Sequence, residues 1–221
     1  MGKALRSGGA VVAFGAVCLA GPVMAEDVTI AALGDSLTQG YGLLQEDGFV
    51  PQLQDWLRAR GHGVTVLNAG VSGDTTAGGL ARVGWTLSPD VDAMIVALGG
   101  NDLLRAIPPE TSRANLEGIL RAAQGAGVAV LLVGMQAPGN YGPEFKQAFD
   151  AMYPDLAAAY DVLHVESFLG PLMQAAEADR AAALSAYMQA DGIHPNAAGV
   201  ALIVDALGPA VERLIARVPQ S

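Results

Sequence analysis

The 221-residue chain is 52% hydrophobic and 15% charged, too apolar for a disordered polymer and long enough to bury one large core. Twelve basic residues against 22 acidic ones give a formal charge of −10, and the only lysines are Lys3 and Lys146, so a nucleic-acid partner is not expected. One cysteine (Cys18) and three histidines (His62, His164, His194) cannot supply a Cys/His zinc cluster or an intrachain disulfide, and the sequence predicts no metal and no other cofactor.

The chain opens with Lys3 and Arg6, continues through an uncharged apolar stretch at 9–20, and breaks at Gly21-Pro22. Small residues Val23 and Ala25 then precede Glu26-Asp27. A positive start, a short apolar run and small residues at −3 and −1 predict a secretory signal cut after Ala25. The apolar run falls short of the roughly 20 residues that span a bilayer, so no stable membrane insertion is expected after cleavage. Val17 is a poor residue to precede a lipidated cysteine at Cys18. The remaining residues 26–221 are expected to form one domain, in a bacterial periplasm or outside the cell.

Val28–Leu33 is a β-branched, apolar run ending at Gly34 and predicts a buried strand. Phe49–Arg60 carries Phe49, Leu53, Trp56 and Leu57 on one helical face and stops at Gly61. A second strand is predicted over Val64–Leu67, followed by a Gly/Ser/Asp/Thr loop at Asn68–Thr76 and a helix over Ala77–Leu87. Ala93–Leu98 predicts the third strand, Thr111–Gln124 a helix capped by Thr111, and Val128–Met135 the fourth strand. A Pro/Gly loop at Ala137–Pro143 leads to a helix over Phe145–Tyr160 with a break at Pro154. The fifth strand is Val162–Val165, and a last helix runs from Ala197 to Val218. Alternating strands and helices with near-continuous apolar strands imply an α/β fold whose parallel sheet is covered on both faces. Sites in such folds lie beyond the carboxyl ends of the strands.

Four short motifs stand at those ends or just before the last helix. Gly34-Asp35-Ser36-Leu37 follows strand one, where a serine can present both its hydroxyl and its N–H, although Asp and Ser also cap helices. Asp35 is expected to brace that turn. Ser72-Gly73-Asp74-Thr75 follows strand two; Gly73 leaves its N–H open to a ligand, and Asp74 or Thr75 can cap the next helix. Gly99-Gly100-Asn101-Asp102 follows strand three, with Asn101 able to donate to a developing oxyanion or simply to form the turn. Asp191-Gly192-Ile193-His194-Pro195 pairs a candidate base with an aspartate that can hold its tautomer. Together these supply a nucleophile (Ser36), a base (His194), an orienter (Asp191) and three oxyanion donors (Ser36 N–H, Gly73 N–H, Asn101), the set that acyl transfer needs. The Gly-x-Ser-x-Gly elbow is absent, since Asp74 stands where its last glycine would be after Gly70-Val71-Ser72. His62 and His164 have no motif beside them and are expected to be non-catalytic.

These blocks resemble the SGNH hydrolases of the GDSL esterase/lipase family, in the right order over nearly all of residues 28–217. Ser36, Gly73, Asn101 and His194 match the four signature positions and Asp191 the triad acid. Within the family, LGDSLTQGYG (Leu33–Gly42), NAGVSGDT (Asn68–Thr75), LGGND (Leu98–Asp102), NYG (Asn140–Gly142) and YMQADGIHPN (Tyr187–Asn196) resemble a secreted bacterial branch that hydrolyses acyl thioesters, lysophospholipids and aryl esters. The resemblance implies a three-layer α/β/α flavodoxin-like sandwich with a five-stranded parallel sheet, a monomer, and small-molecule ester substrates attacked without a cofactor. It also implies a mobile loop over the acyl chain, here Leu103–Pro109, with Leu103, Leu104, Ile107 and Pro108 as substrate-binding residues. Met135, Pro138 and Tyr141 follow strand four and can line the same groove, with Tyr141 as a further substrate-binding residue, or fill core. A polysaccharide O-acetylesterase of the same family is the rival enzyme reading. A flavodoxin-like module that only binds FMN or a nucleotide is the rival outside catalysis, though no phosphate-binding glycine loop is present.

Overall fold

The structure, a computed structural model, describes residues 27–219 together with Met1 and Gly2. Residues 3–25 of the expected secretory segment, Cys18 among them, lie outside the described residues. Five strands, β1 (Val28–Gly34), β2 (Val64–Gly70), β3 (Ala93–Ala97), β4 (Ala129–Val133) and β5 (Leu163–Val165), pair in parallel in the order β2-β1-β3-β4-β5. The register aligns Val28 with Val64, Ile30 with Ala93, Ala93 with Ala129 and Leu131 with Leu163. Burial on both faces explains why β1, β3 and β4 are written almost wholly in aliphatic residues rather than in alternation.

Successive residues of β1 point to opposite layers. Ile30 and Ala32 pack with Phe49, Leu53 and Leu57 of α2 (Phe49–Ala59) and Ile203, Leu207 and Leu214 of the C-terminal helix. Ala31 and Leu33 pack on the other side with Leu116 and Ile119 of one helix and Phe149 and Tyr153 of another. The helices in chain order are α1 (Ser36–Gln39), α2, α3 (Thr76–Thr86), α4 (Gly100–Leu104), α5 (Pro109–Ala126), α6 (Pro143–Tyr160), α7 (Gly170–Ala178), α8 (Arg180–Tyr187) and α9 (Ala197–Ile215). This is the three-layer, flavodoxin-like α/β arrangement that the family resemblance implies, on the parallel sheet covered on both faces that the sequence predicts. No helix among the described residues is long and apolar enough to cross a membrane.

Several boundaries differ. β2 continues through Asn68 to Gly70, because its main chain keeps pairing with β1 as far as Gly34 although Asn68, Ala69 and Gly70 end the run of large aliphatic side chains. Thr111 is not the cap of α5; the helix starts at Pro109, whose fixed φ suits the first helical position and whose missing N–H costs nothing there. Pro154 does not break α6: Tyr153 and Leu156 on either side are buried and hold the helix against the sheet. α1, α4, α7 and α8 are elements that the sequence reading did not predict.

In the order β2-β1-β3, the chain steps outward after β1 and then crosses back to β1's other side. The loops leaving β1 and β3 therefore diverge, opening a crevice at the carboxyl edge of the sheet.

Candidate active site

Ser36 stands at the first position of α1, directly beyond β1. Asp35 caps that helix, its Oδ1 accepting from Leu37 N–H at 3.0 Å. The Ser36 Oγ lies 2.9 Å from Nε2 of His194. The His194 Nδ1 lies 2.7 Å from Oδ2 of Asp191. Oδ1 of Asp191 accepts two further hydrogen bonds, from Ile193 N–H at 2.9 Å and His194 N–H at 3.0 Å. Gly192 makes this tight turn possible by taking φ +67°. The imidazole and then the two main-chain donors hold the Asp191 carboxyl down at about 2.

Two residues outside the four short motifs, though within the longer matched blocks, fix this chain of contacts. The Tyr41 ring lies against the His194 ring with centroids 4.7 Å apart. Gln189 Nε2 donates to Tyr41 O at 2.8 Å and to Pro195 O at 3.0 Å, tying the segment after Ser36 to the loop that carries His194. The sequence reading missed both, since one acts by ring contact and the other through main-chain carbonyls.

The donors converge from two loops. Gly73 sits at φ +81° in the turn between β2 and α3, which Thr75 caps. A Cβ built on Gly73 would meet only Arg105 Nη2, so the backbone here is open to a ligand on its side-chain face. Asn101 is carried by α4, whose N-cap Gly99 at φ +124° leaves no room for a side chain beside the Tyr153 hydroxyl. That hydroxyl donates to Leu98 O at 2.9 Å and steadies the end of β3. Asn101 Nδ2 donates to Asp35 Oδ2 at 3.4 Å. Asp102 turns inward, fully buried, and accepts from Thr76 N–H (2.9 Å), Thr76 Oγ1 (2.6 Å) and Ser112 Oγ (2.8 Å). It therefore locks α3, α4 and α5 together and leaves Asn101 facing the crevice.

Ser36, Gly73, Asn101 and His194 edge a cavity of about 460 Å³ whose walls are largely apolar. Of the residues predicted to bind substrate, Leu103, Leu104 and Tyr141 line it, as do Met135 and Pro138. Ile107 and Pro108 do not. After Arg105 the chain reverses through Ala106 at φ +50°, Ile107 N–H bonds back to Asp102 O at 2.9 Å, and Pro108 becomes the N-cap of α5. Leu169 and Ile193 are wall residues that the sequence reading did not name. His62 pairs with Glu212 at 3.1 Å, and His164 lies in β5, where burial lowers its pKa; neither lines the cavity.

Asp35, 3% exposed, is the buried carboxyl that lines the cavity. Burial pushes its carboxyl up to about 6, against the pull of the Leu37 N–H, His194 and Asn101. A carboxyl that binds its proton more tightly in the folded chain weakens folding as pH rises from about 4 to about 6. Asp35→Asn removes that penalty. Relative to the parent, it is expected to gain up to about 3 kcal/mol of unfolding free energy between pH 4 and pH 8. Urea unfolding at the two pH values measures this, and an equal difference at both would refute it. Activity is expected to fall at the same time. An amide whose oxygen keeps the Leu37 contact turns its NH₂ toward Asn101, which must then rotate its own donor out of the crevice.

Residues 32–202 match the GDSL-like Lipase/Acylhydrolase family. The chain is 37% identical over 188 residues to Esterase TesA of Pseudomonas aeruginosa, covering 85% of this chain and 89% of that protein. It is 33% identical over 188 residues to the Escherichia coli protein named thioesterase 1/protease 1/lysophospholipase L1, covering 85% of each. A crystal structure of TesA superposes with a TM-score of 0.75 at 36% identity, covering 84% of this chain and 99% of that one. With the fold, the order of the motifs and these relatives in agreement, the chain belongs to the GDSL-like lipase/acylhydrolase family and is a carboxylic ester hydrolase.

Proposed function

We propose that Ser36, His194 and Asp191 are the catalytic triad of a secreted esterase that cleaves acyl esters with a substantial apolar acyl chain. His194 Nε2 takes the Ser36 proton as Oγ bonds to the acyl carbon. The carbonyl electrons move onto oxygen, where Ser36 N–H, Gly73 N–H and the Asn101 amide receive them. The oxyanion collapses, the bond to the leaving oxygen or sulfur breaks, and His194 returns the proton to that leaving group. Water, deprotonated by the same imidazole, then releases the acid and restores Ser36. Asp191 holds the tautomer in which Nδ1 carries hydrogen and Nε2 is free to accept.

The observation that carries this reading is the linked pair of contacts, 2.9 Å and 2.7 Å, ending on the lip of an apolar cavity of about 460 Å³. That volume lies in the range of specific small-molecule sites. Leu103, Leu104, Met135 and Tyr141 offer it acyl contacts but no charge. Aryl esters and lysophospholipids are therefore the substrate classes favoured. The names of the relatives add acyl thioesters, whose leaving group needs the same chemistry. The secretory reading of residues 1–25 makes residues 26–221 the working enzyme, and its exported form begins Glu26-Asp27 if the cut falls after Ala25.

The test is a series of p-nitrophenyl esters from acetyl to palmitoyl on residues 26–221. kcat/KM is expected to rise from acetyl toward medium or long chains, since each added methylene buried in the cavity contributes about 0.8 kcal/mol. Activity confined to acetyl would overturn the lipid reading and favour a polysaccharide O-acetylesterase.

A further inference from the structure

We propose that Arg82 is the positioning residue of the oxyanion hole, setting the placement of its two main-chain donors from behind. Arg82 projects from α3 and does not line the cavity. Its guanidinium reaches three separate points: Nε donates to Asp74 Oδ2 at 2.6 Å, Nη1 to Ala69 O at 2.6 Å and Nη2 to Gly34 O at 2.8 Å. Gly34 is the last residue of β1, two before Ser36. Ala69 lies at the end of β2, and Asp74 directly follows Gly73. One rigid, planar group thus ties together the strand ends and the loop that present Ser36 N–H and Gly73 N–H. A main-chain donor has no rotamer of its own, so where it points depends on what holds the backbone around it.

The sequence makes room for this clamp. Gly78 lies one turn before Arg82 on α3, and a Cβ there would collide with the Asp74 carboxylate. Glycine is otherwise a poor choice inside a helix at negative φ. Its presence lets the carboxylate sit against the helix within reach of Arg82. The pair is mostly shielded, with side chains 22% and 16% exposed. Lysine carries its three donors on one nitrogen and lacks the planar fork that meets these acceptors from three separate nitrogens. Arg105 holds the same loop from the outer side, donating to Gly73 O at 2.9 Å, but from an exposed position.

The inference rests on the oxyanion-hole reading above, and the test separates the two. Arg82→Met, Arg82→Lys, Gly78→Ala and, as control, Asn101→Ala are assayed on p-nitrophenyl esters. Rates are counted per active site by titration with a fluorophosphonate. Each variant is also tested with a trifluoromethyl ketone, which bonds to the serine and places an oxyanion in the hole. Arg82→Met is expected to lose about 10²-fold in kcat with KM unchanged, the scale of a misplaced donor. Its affinity for the ketone should fall in parallel. Arg82→Lys should recover little of the loss, and added methylguanidinium should restore part of the activity of Arg82→Met. Gly78→Ala displaces the carboxylate while improving helix propensity, so it should lower kcat without lowering the melting temperature. A kcat within twofold of the parent in both Arg82→Met and Gly78→Ala, while Asn101→Ala is impaired, would overturn the role of Arg82 alone. An unimpaired Asn101→Ala would overturn the oxyanion-hole reading itself.

Discussion

Ser36→Ala is expected to lower kcat on p-nitrophenyl esters by about 10⁵–10⁶-fold, leaving no more than the background that binding and the oxyanion donors alone can give. No second serine is placed to substitute among the residues that line the cavity. Ser72 also edges the cavity, but its Oγ donates to Gln39 Oε1 at 2.6 Å rather than facing a base. The fold should hardly notice the change. Ser36 is only half-buried, and the one side-chain hydrogen bond that its Oγ makes is to His194, whose nitrogen water can reach once the hydroxyl is gone. Surface-accessible polar substitutions of this kind stay within about 0.5 kcal/mol. Melting temperature and kcat measured on the same preparation check both halves. Residual turnover above a few per cent in a variant free of parent enzyme would remove Ser36 from the role of nucleophile.

Much of this site could be read before the fold was known, for a physical reason. Acyl transfer needs few groups, and a parallel sheet presents them on short loops at strand ends, each marked by glycines where the chain must turn sharply or admit a ligand. Gly34 to Leu37, Ser72 to Thr75 and Gly99 to Asp102 are such loops, Asp191 to Pro195 is a glycine turn just before α9, and the structure brings all four to one crevice. What stayed hidden acts through the backbone. Arg82 and Gln189 bind carbonyl oxygens of residues that are distant in sequence, and a carbonyl carries no side-chain signature. Tyr41 matters through where its ring falls, which depends on the turn after α1. Ile107 and Pro108 are apolar and close to Asn101 in sequence, so the family resemblance, with their apolar character, placed them in the groove. The bond from Ile107 N–H to Asp102 O carries them away from it. The Ala-rich helices α7 and α8 lack a stripe of large apolar residues, so periodicity did not single them out.

Asp191→Asn is expected to cost about 10³–10⁴-fold in kcat while the loop keeps its shape. Oδ1 of Asp191 accepts from the main chain of Ile193 and His194, and an amide oxygen can do the same. The NH₂ then occupies the place of Oδ2 and faces His194 Nδ1, 2.7 Å away in the parent. Two donors cannot share that contact, so the imidazole moves its proton to Nε2. That is the nitrogen which must accept from Ser36, and the base is blocked without being displaced. The pH dependence follows from the same bonds. Because they hold the parent carboxyl at about 2, Asp191 stays ionised throughout neutral and mildly acid conditions and puts no limb on the activity profile there. Its contribution to stability is present above the unfolded value near 4 and is lost as pH falls through about 2. The melting temperatures of parent and variant should therefore converge as pH drops from 4 toward 2, while the kcat gap near neutrality stays wide. A variant that keeps more than a tenth of the parent's kcat would mean that something other than Asp191 sets the tautomer of His194.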